Sequence, residues 1–208
     1  MDTQSEIICS NILKSKGVPH TKIPRSKVNK IQTPDFEVDL SGIESIWEVK
    51  ELTENPDENK ILKMLESDNP PLYSVNSSRV KNRIKEACNQ FKSYGATNKA
   101  CVVALYDARC FAVKDVLFPQ FIICAMFGDA EYWMPNDGPI REIKRTGRLL
   151  QKNKKNYISA VAVLNEIDND IIFLHNPFAN ISLLNLKTPF TKHLKFVFTE
   201  DGLKYEWV

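Results

Sequence analysis

The sequence lacks the motifs that several common classes of enzyme and metalloprotein require. Its five cysteines contain no Cys-x-x-Cys pair and no regular spacing, which argues against a disulfide framework and a zinc site. The histidines, His20, His175 and His193, are far apart, without a His or Cys neighbour at ligand spacing. Neither Gly-x-x-x-x-Gly-Lys-Ser/Thr nor Gly-x-Ser-x-Gly is present, which excludes P-loop NTPases and serine hydrolases built on those motifs.

Long apolar segments are also missing. The longest, residues 116–127, contains Pro119 and Gln120 and is too short to span a bilayer. Residues 1–12 place acids ahead of their apolar positions, unlike a secretory signal peptide. We therefore expect a cytoplasmic protein with no membrane partner, whose 208 residues form a single domain, 1–208.

Residues 33–50 contain the most informative pattern in the chain. Apolar and acidic residues alternate up to Ser41-Gly42, and a second alternation follows that dipeptide. Alternation with period two on both sides of a Ser-Gly pair predicts a β-hairpin with one apolar face. That face comprises Phe36, Val38, Leu40, Trp47 and Val49.

The hairpin register predicts which polar side chains meet. A two-residue loop places Leu40 opposite Ile43 and therefore Asp35 opposite Glu48, with Cβ atoms about 5 Å apart. Lys50 follows Glu48 on the same face, roughly 6.6 Å further along the strand. Facing carboxylates repel each other, and a bound Mg²⁺, which one or two carboxylates commonly hold, would relieve that repulsion. The alternative is an ordinary amphipathic hairpin with a solvated acidic face.

Pro34-Asp35, followed on the next strand by Glu48-Val49-Lys50, resembles the motif of the PD-(D/E)XK nuclease superfamily. The resemblance covers about residues 4–107. It implies an α/β (α+β) fold with a restriction-endonuclease-like αβββαβ core, in which helices flank a mixed central sheet. It also implies a nuclease dependent on Mg²⁺ or Mn²⁺, with Asp35, Glu48 and the Val49 carbonyl as metal ligands and Lys50 positioning the nucleophile.

The resemblance adds residues whose role stays open. In the superfamily a glutamate of the first helix often joins the metal site, which makes Glu6 a candidate, but Thr3 and Glu6 also have the spacing of a capping box. Glu37 shares a hairpin face with Asp35 and could assist. Gln90 and Tyr94 resemble the Gln-x-x-x-Tyr motif of RecB-type nucleases, or else form the polar flank of a helix. Lys81 and Lys85 are expected near this flank, where they could meet phosphate.

Charge is distributed unevenly along the chain. Segment 14–30 contains basic residues without acids, segment 35–68 is mainly acidic, and segment 141–155 is basic except for Glu142. Basic residues can hold a polyanion by releasing its counterions, although a basic segment is equally typical of a solvated face. We predict nucleic-acid contacts for the later segment, through Arg141, Lys144, Arg145, Arg148, Lys152, Lys154 and Lys155.

Outside the hairpin, local patterns predict the remaining elements. We expect one helix at 4–16, a second that begins at Pro56 with Asn55 as its N-cap, and a third at 78–94. We also expect a strand near 28–31 and a buried strand at 99–107. Residues 109–156 are interpreted as an insertion and residues 157–208 as C-terminal strands. We expect the insertion's aromatic residues to be buried rather than stacked on bases: Phe118, Phe121, Phe127, Tyr132 and Trp133.

The favoured function is a DNA endonuclease in restriction, defence or DNA processing, although the residues do not separate DNA from RNA. A duplex-cutting enzyme with one site per chain would need a homodimer. One alternative is a non-catalytic nucleic-acid-binding module of the same fold. Another is a nuclease inhibitor or other interaction protein, whose clustered acids at 35–68 mimic phosphate.

Overall fold

Helices flank both faces of an eight-stranded mixed sheet in this computed structural model, which describes residues 2–26, 31–65, 78–109, 119–134 and 141–208. The helices are α1 (Gln4–Ser15), α2 (Pro56–Leu65), α3 (Ser78–Tyr94) and α4 (Pro119–Phe127). The strands are β1 (His20–Lys22), β2 (Phe36–Leu40), β3 (Ile43–Leu52), β4 (Ala100–Asp107), β5 (Asp129–Trp133), β6 (Arg141–Thr146), β7 (Ile158–Asn165), β8 (Asp170–His175), β9 (Lys192–Thr199) and β10 (Gly202–Trp207).

The main sheet has the order β1-β2-β3-β4-β7-β8-β9-β10, and β5 and β6 form a separate two-stranded sheet. Strand β4 is parallel to both of its neighbours, β3 and β7, whereas β1, β2 and β3 pair in antiparallel fashion. The prediction of a mixed sheet flanked by helices is therefore confirmed. No described helix combines the length and the apolar character needed to cross a membrane.

The β2–β3 hairpin has the register that its sequence predicts. Leu40 pairs with Ile43 at the turn. Both loop residues have positive φ, +55° at Ser41 and +87° at Gly42, as the mirror-image two-residue turns of hairpins require. The predicted apolar face is buried at all five positions: Phe36, Val38, Leu40, Trp47 and Val49.

The two faces of the sheet pack against different helices. The apolar hairpin face shares a core with α1, whose buried positions Ile8, Cys9, Ile12 and Leu13 have helical spacing. The opposite face packs against α3 and α4, and α3 contributes the buried stripe of Val80, Ile84, Ala87 and Phe91. Strand β4 separates the two cores and is buried on both faces, as its uninterrupted apolar sequence predicts.

The structure corrects several details of the prediction. The strand that precedes the hairpin is β1, whereas the strand predicted near 28–31 lies mostly outside the described residues. The C-terminal strands predicted within 157–208 are confirmed as β7 to β10. Helix α4 was not predicted, and it buries Phe127 beside α3. Phe121 is partly buried and Phe118 lies outside the described residues, but Tyr132 and Trp133 are more than half exposed, so their predicted burial is wrong.

A buried ionic network joins α2 to the end of β4. Asn55 and Glu58 form the predicted cap, because the Asn55 Oδ1 accepts from the Glu58 amide at 2.8 Å and Glu58 Oε2 accepts from the Asn55 amide at 2.9 Å. Glu58 also accepts from Arg109 Nη1 at 2.8 Å and from Arg79. Since the Arg109 side chain is fully buried, its charge depends on Glu58 and Asp107 for compensation.

We expect Glu58→Ala to lower the free energy of unfolding by about 3–5 kcal/mol, because it leaves the Arg109 guanidinium buried with one carboxylate partner fewer. Asp57→Ala is the matched control, since Asp57 is exposed in the same helical turn, and it should cost less than about 1 kcal/mol. Urea unfolding measures both. Equal losses for the two variants would contradict a structural role for the network.

Candidate functional site

Strand β3 and the residue directly before β2 carry the predicted catalytic residues into a cavity of about 530 Å³. The cavity is bounded by the start of α1, the segment before β2, the second half of β3 and the side of α3. Asp35, Glu48 and Lys50 all line it, together with Val49 and Gln90. The polar hairpin face therefore opens into a cleft between the sheet and α3.

Asp35 lies beside Glu48 but not strictly opposite to it. The hairpin ladder ends at the pair Phe36 and Trp47, and the Asp35 amide then donates to the Trp47 carbonyl at 3.0 Å. The Asp35 side chain accepts from the Val49 amide at 2.8 Å through Oδ2. Asp35 thus contacts β3 on both sides of Glu48, and this shift at the strand end holds the two carboxyl groups at one site.

Glu48 is the most constrained acid of the cavity. Glu48 is 2 % exposed, and its Oε1 lies 2.8 Å from the Lys50 Nζ. Its other oxygen, Oε2, is buried and has no hydrogen-bond partner among the described residues. Burial, followed by the negative charge of Asp35, raises the pKa of Glu48 from its ordinary value of 4.5 to about 8, and these effects outweigh the opposing influence of Lys50.

Asp35 shares this electrostatic environment. Burial raises the pKa of the Asp35 carboxyl, and Glu6 adds to the rise, whereas the Val49 amide and Lys50 oppose it. Two buried acids with raised pKa values and few compensating partners are expensive to ionise together. A cation placed between them would remove that cost.

Lys50 is held between β3 and α3. Its Nζ pairs with Glu48 and donates a hydrogen bond to Gln90 Oε1. Gln90, predicted as an accessory residue, is therefore part of the site. Tyr94 is not a lining residue of the cavity and packs against the core on the α3 side of the sheet. Only the first residue of the predicted Gln-x-x-x-Tyr pair thus reaches the lysine.

Glu6 has features of both interpretations. The Thr3 side chain caps α1 by accepting from the Glu6 amide at 3.3 Å. The Glu6 carboxylate, however, bonds to Lys22 on β1, lines the cavity and contributes to the raised pKa of Asp35. Glu37 lies away from the cavity lining, opposite Ile46 as expected, and its charge acts on Lys99.

The predicted basic segment is divided between structural and exposed residues. Arg145 is buried, pairs with Glu142 and donates to the Gly128 carbonyl, and Arg148 lies over the Phe198 ring with its Nε buried. Lys144, Lys152 and Lys154 are exposed and Lys155 is partly buried, while the side chain of Arg141 lies outside the described part. Nucleic-acid contact through Arg145 is therefore disfavoured, because its donors already have partners inside the protein.

Sequence reasoning did not single out two arginines at the cavity. Arg25 and Arg83 both line it. Arg83 is partly exposed and pairs with Glu86 one turn further along α3. Its spacing of seven residues from Gln90 could have placed both side chains on one side of α3.

The donor set of the cavity fits a hard divalent cation held partly by protein. Within the described ranges, no group of three or more His, Cys, Asp or Glu side chains is arranged to hold a metal. The two carboxyl groups of Asp35 and Glu48 nevertheless suffice for Mg²⁺, which usually keeps several waters and substrate phosphate oxygens. The unpartnered Glu48 Oε2 is the observation that favours such a ligand.

No protein-family model matches this sequence, and comparisons with the curated proteins and with the solved structures found no match. An interpretation of the cavity therefore depends on its own residues and geometry.

We expect the metal-free protein to lose stability as pH rises from about 5 to 8. Glu48 has a higher pKa in the folded chain, so the folded state binds the extra proton over this range and unfolding becomes easier as that proton is lost. For one proton the slope approaches about 1.4 kcal/mol per pH unit. Urea unfolding in EDTA should show a shallower slope for Glu48→Gln, and identical slopes would contradict a shifted Glu48.

Proposed function

We propose that this protein is a metal-dependent nuclease of the PD-(D/E)XK type, which hydrolyses phosphodiester bonds in nucleic acid, with DNA as the favoured substrate. The observation that carries the proposal is the environment of Glu48: a buried carboxyl group beside Asp35, with one oxygen paired to Lys50 and the other without a partner among the residues that the structure describes. A cavity of about 530 Å³ gives substrate access to this group.

The order of elements supports the finer fold assignment within this proposal. Helix α1 is followed by the antiparallel strands β1, β2 and β3, and after α2 and α3 the chain returns in β4, parallel to β3. This order is compatible with an αβββαβ restriction-endonuclease-like core with α2 as an added helix. The site lies where such a core would need it, at the hairpin and the adjoining helix α3.

Asp35 and Glu48, with the Val49 carbonyl as a further candidate, would hold Mg²⁺ or Mn²⁺. The bound ion would supply an acidified water and polarise the scissile phosphate. Because Glu48 must be ionised to bind the ion, metal binding and loss of the Glu48 proton are coupled. Glu6 remains a candidate for indirect support of the metal site, since its carboxylate is paired with Lys22.

Lys50 provides positive charge at the reacting phosphate. The Glu48 carboxylate and the Gln90 amide oxygen fix its ammonium group from two directions, so its position needs little reorganisation during the reaction. From there it can orient the attacking water and stabilise the negative charge that develops. Arg25 and Arg83 at the cavity would hold neighbouring phosphates of the polymer.

The proposal includes a homodimer as the form that cuts both strands of a duplex. Each chain contributes one carboxylate pair of this kind, and two in-line displacements on opposite strands require two such sites. DNA is favoured over RNA by the resemblance of the motif, so both polymers belong in the test.

Purified protein should cleave plasmid or single-stranded DNA with Mg²⁺ or Mn²⁺, and EDTA should abolish the cleavage. We expect Glu48→Gln to remove the activity and Lys50→Met to reduce it by roughly 10²-fold or more, because each loses charge needed at the reacting phosphate. Gel analysis of cleavage products, with an RNA substrate in parallel, provides the measurement.

Glu44→Gln is the matched control for this experiment. Glu44 lies on the same strand as Glu48 but is exposed and pairs with Lys99 at the far end of the hairpin. The Glu44→Gln variant should cleave DNA at a rate within about twofold of the wild-type rate, because it loses only an exposed ion pair. Equal cleavage by Glu48→Gln and wild type, or activity unaffected by EDTA, would refute the proposal.

A further inference from the structure

Four lysines gather on one flank of α3, although they come from two distant parts of the sequence. Lys85 and Lys92 are two helical turns apart, and Cys88 lies between them on the same side. The Tyr157 hydroxyl donates to the Cys88 carbonyl at 3.3 Å, which brings the preceding residues Lys154 and Lys155 to this flank. We name these four residues, Lys85, Lys92, Lys154 and Lys155, the lysine patch.

The lysine patch forms no ion pair with an acid in the part of the chain that the structure describes, and Glu86, which follows Lys85, pairs with Arg83 instead. None of its four ammonium groups forms an ion pair there, in contrast to Lys16, Lys22, Lys50, Lys60, Lys99, Lys192, Lys195 and Lys204. Burial lowers the pKa of Lys155, and the charges of Lys154, Lys92 and Lys85 lower it further against the opposing influence of Cys88, so each of these three lysines lies close enough to act on Lys155. An uncompensated concentration of positive charge is a site for a polyanion.

The lysine patch lies on the opposite flank of α3 from the cavity. Gln90 and Arg83 face the cavity, whereas Lys85 and Lys92 are rotated to the other side of the buried stripe. Lys81 and Lys85 lie about half a turn around α3 from Gln90, and neither lines the cavity, so the expectation that they accompany Gln90 is wrong. About 10–12 Å, one helix diameter, separates the flanks, comparable to the roughly 12 Å width of a DNA major groove.

The surroundings of the lysine patch favour nucleic acid over a lipid surface. The exposed residues beside the lysine patch include polar amides, Asn89 on α3 and Gln151 and Asn153 in the turn before β7. Amide side chains beside lysines are typical donors to phosphate and sugar oxygens. Peripheral binding to anionic membranes instead relies on apolar or aromatic side chains that enter the bilayer boundary, and these neighbours supply none.

We propose that the lysine patch is a second phosphate-binding surface, which holds the nucleic-acid backbone across α3 while another part of the same polymer occupies the cavity. The inference depends on the proposed function for the identity of that polymer. It goes further by assigning Lys85 and Lys92 to binding. It also assigns Lys154 and Lys155 to binding and excludes Arg145, whose donors bond to Glu142 and the Gly128 carbonyl inside the protein.

Binding of a fluorescent 30-base-pair duplex, measured by anisotropy in EDTA in a Glu48→Gln background, tests the lysine patch without cleavage. We expect Lys85→Gln/Lys92→Gln to weaken binding about tenfold or more. We also expect the slope of log affinity against log salt concentration to fall by about 1.8, since two phosphate contacts are lost. A second double variant, Lys92→Gln/Lys154→Gln, should weaken duplex binding to a similar extent. Agreement between the two variants would show that a folding defect in one of them is not the cause.

Lys14→Gln/Lys187→Gln is the matched control. Both lysines are exposed, form no ion pair among the described residues and belong to segments packed on the α1 side of the sheet. This control removes the same charge and should bind within about twofold of its parent. Equal weakening by the control and patch variants would overturn the inference, because only net charge would then matter.

Anionic lipid vesicles and the parent enzyme complete the test. Vesicle binding that depends on Lys85 and Lys92, with DNA and RNA binding unchanged in the patch variants, would overturn the inference in favour of a membrane surface. Cleavage by the wild type together with unchanged duplex binding by the patch variants would overturn the inference and leave the proposed nuclease intact. Selective loss of binding in the patch variants, without any cleavage by the wild type, would support the lysine patch and refute the nuclease.

Discussion

The confinement of two carboxyl groups at the end of one hairpin is the constraint around which the cavity is organised. Asp35 forms one backbone and one side-chain hydrogen bond to β3, to Trp47 and Val49 on either side of Glu48, and these bonds hold its carboxyl group beside that of Glu48. Burial and mutual repulsion make their ionisation costly, and Lys50 compensates only one oxygen of Glu48. Such an arrangement is poorly suited to stability alone, and a bound cation offers the missing compensation.

Helix α3 connects this site to the rest of the molecule. Its apolar stripe packs against the sheet, one flank supplies Gln90 to Lys50, and the opposite flank carries Lys85 and Lys92. A single amphipathic helix thereby relates the carboxylate cavity to the lysine patch at a separation of one helix diameter. Because α3 is anchored over its whole buried face, the positions of both surfaces depend on the same packing.

Local patterns were sufficient for elements whose physical signals lie close together in the chain. The alternation around Ser41 and Gly42 predicted the hairpin register, and the cap formed by Asn55 and Glu58 marked the start of α2. Long-range packing overrode the local patterns elsewhere. Arg145 belongs to a basic segment that is typical of a protein surface, yet it is buried and its guanidinium bonds to Glu142 and the Gly128 carbonyl. Trp133, by contrast, is exposed on the small sheet.

The order of residues was sufficient to predict which side chains share the polar face of the hairpin, because a period of two and a two-residue turn leave one register that buries the apolar face. That register brings Asp35, Glu48 and Lys50 to the same end of the hairpin, and the shift beyond the last pair, Phe36 and Trp47, sets Asp35 beside Glu48. The packing of α3 on the sheet decides three further features: the Glu48 oxygen without a partner among the described residues, the contact between Lys50 and Gln90, and the influence of the Lys85 charge on Lys155. Burial and contacts between distant segments exist only in the folded chain, so no local pattern contains them.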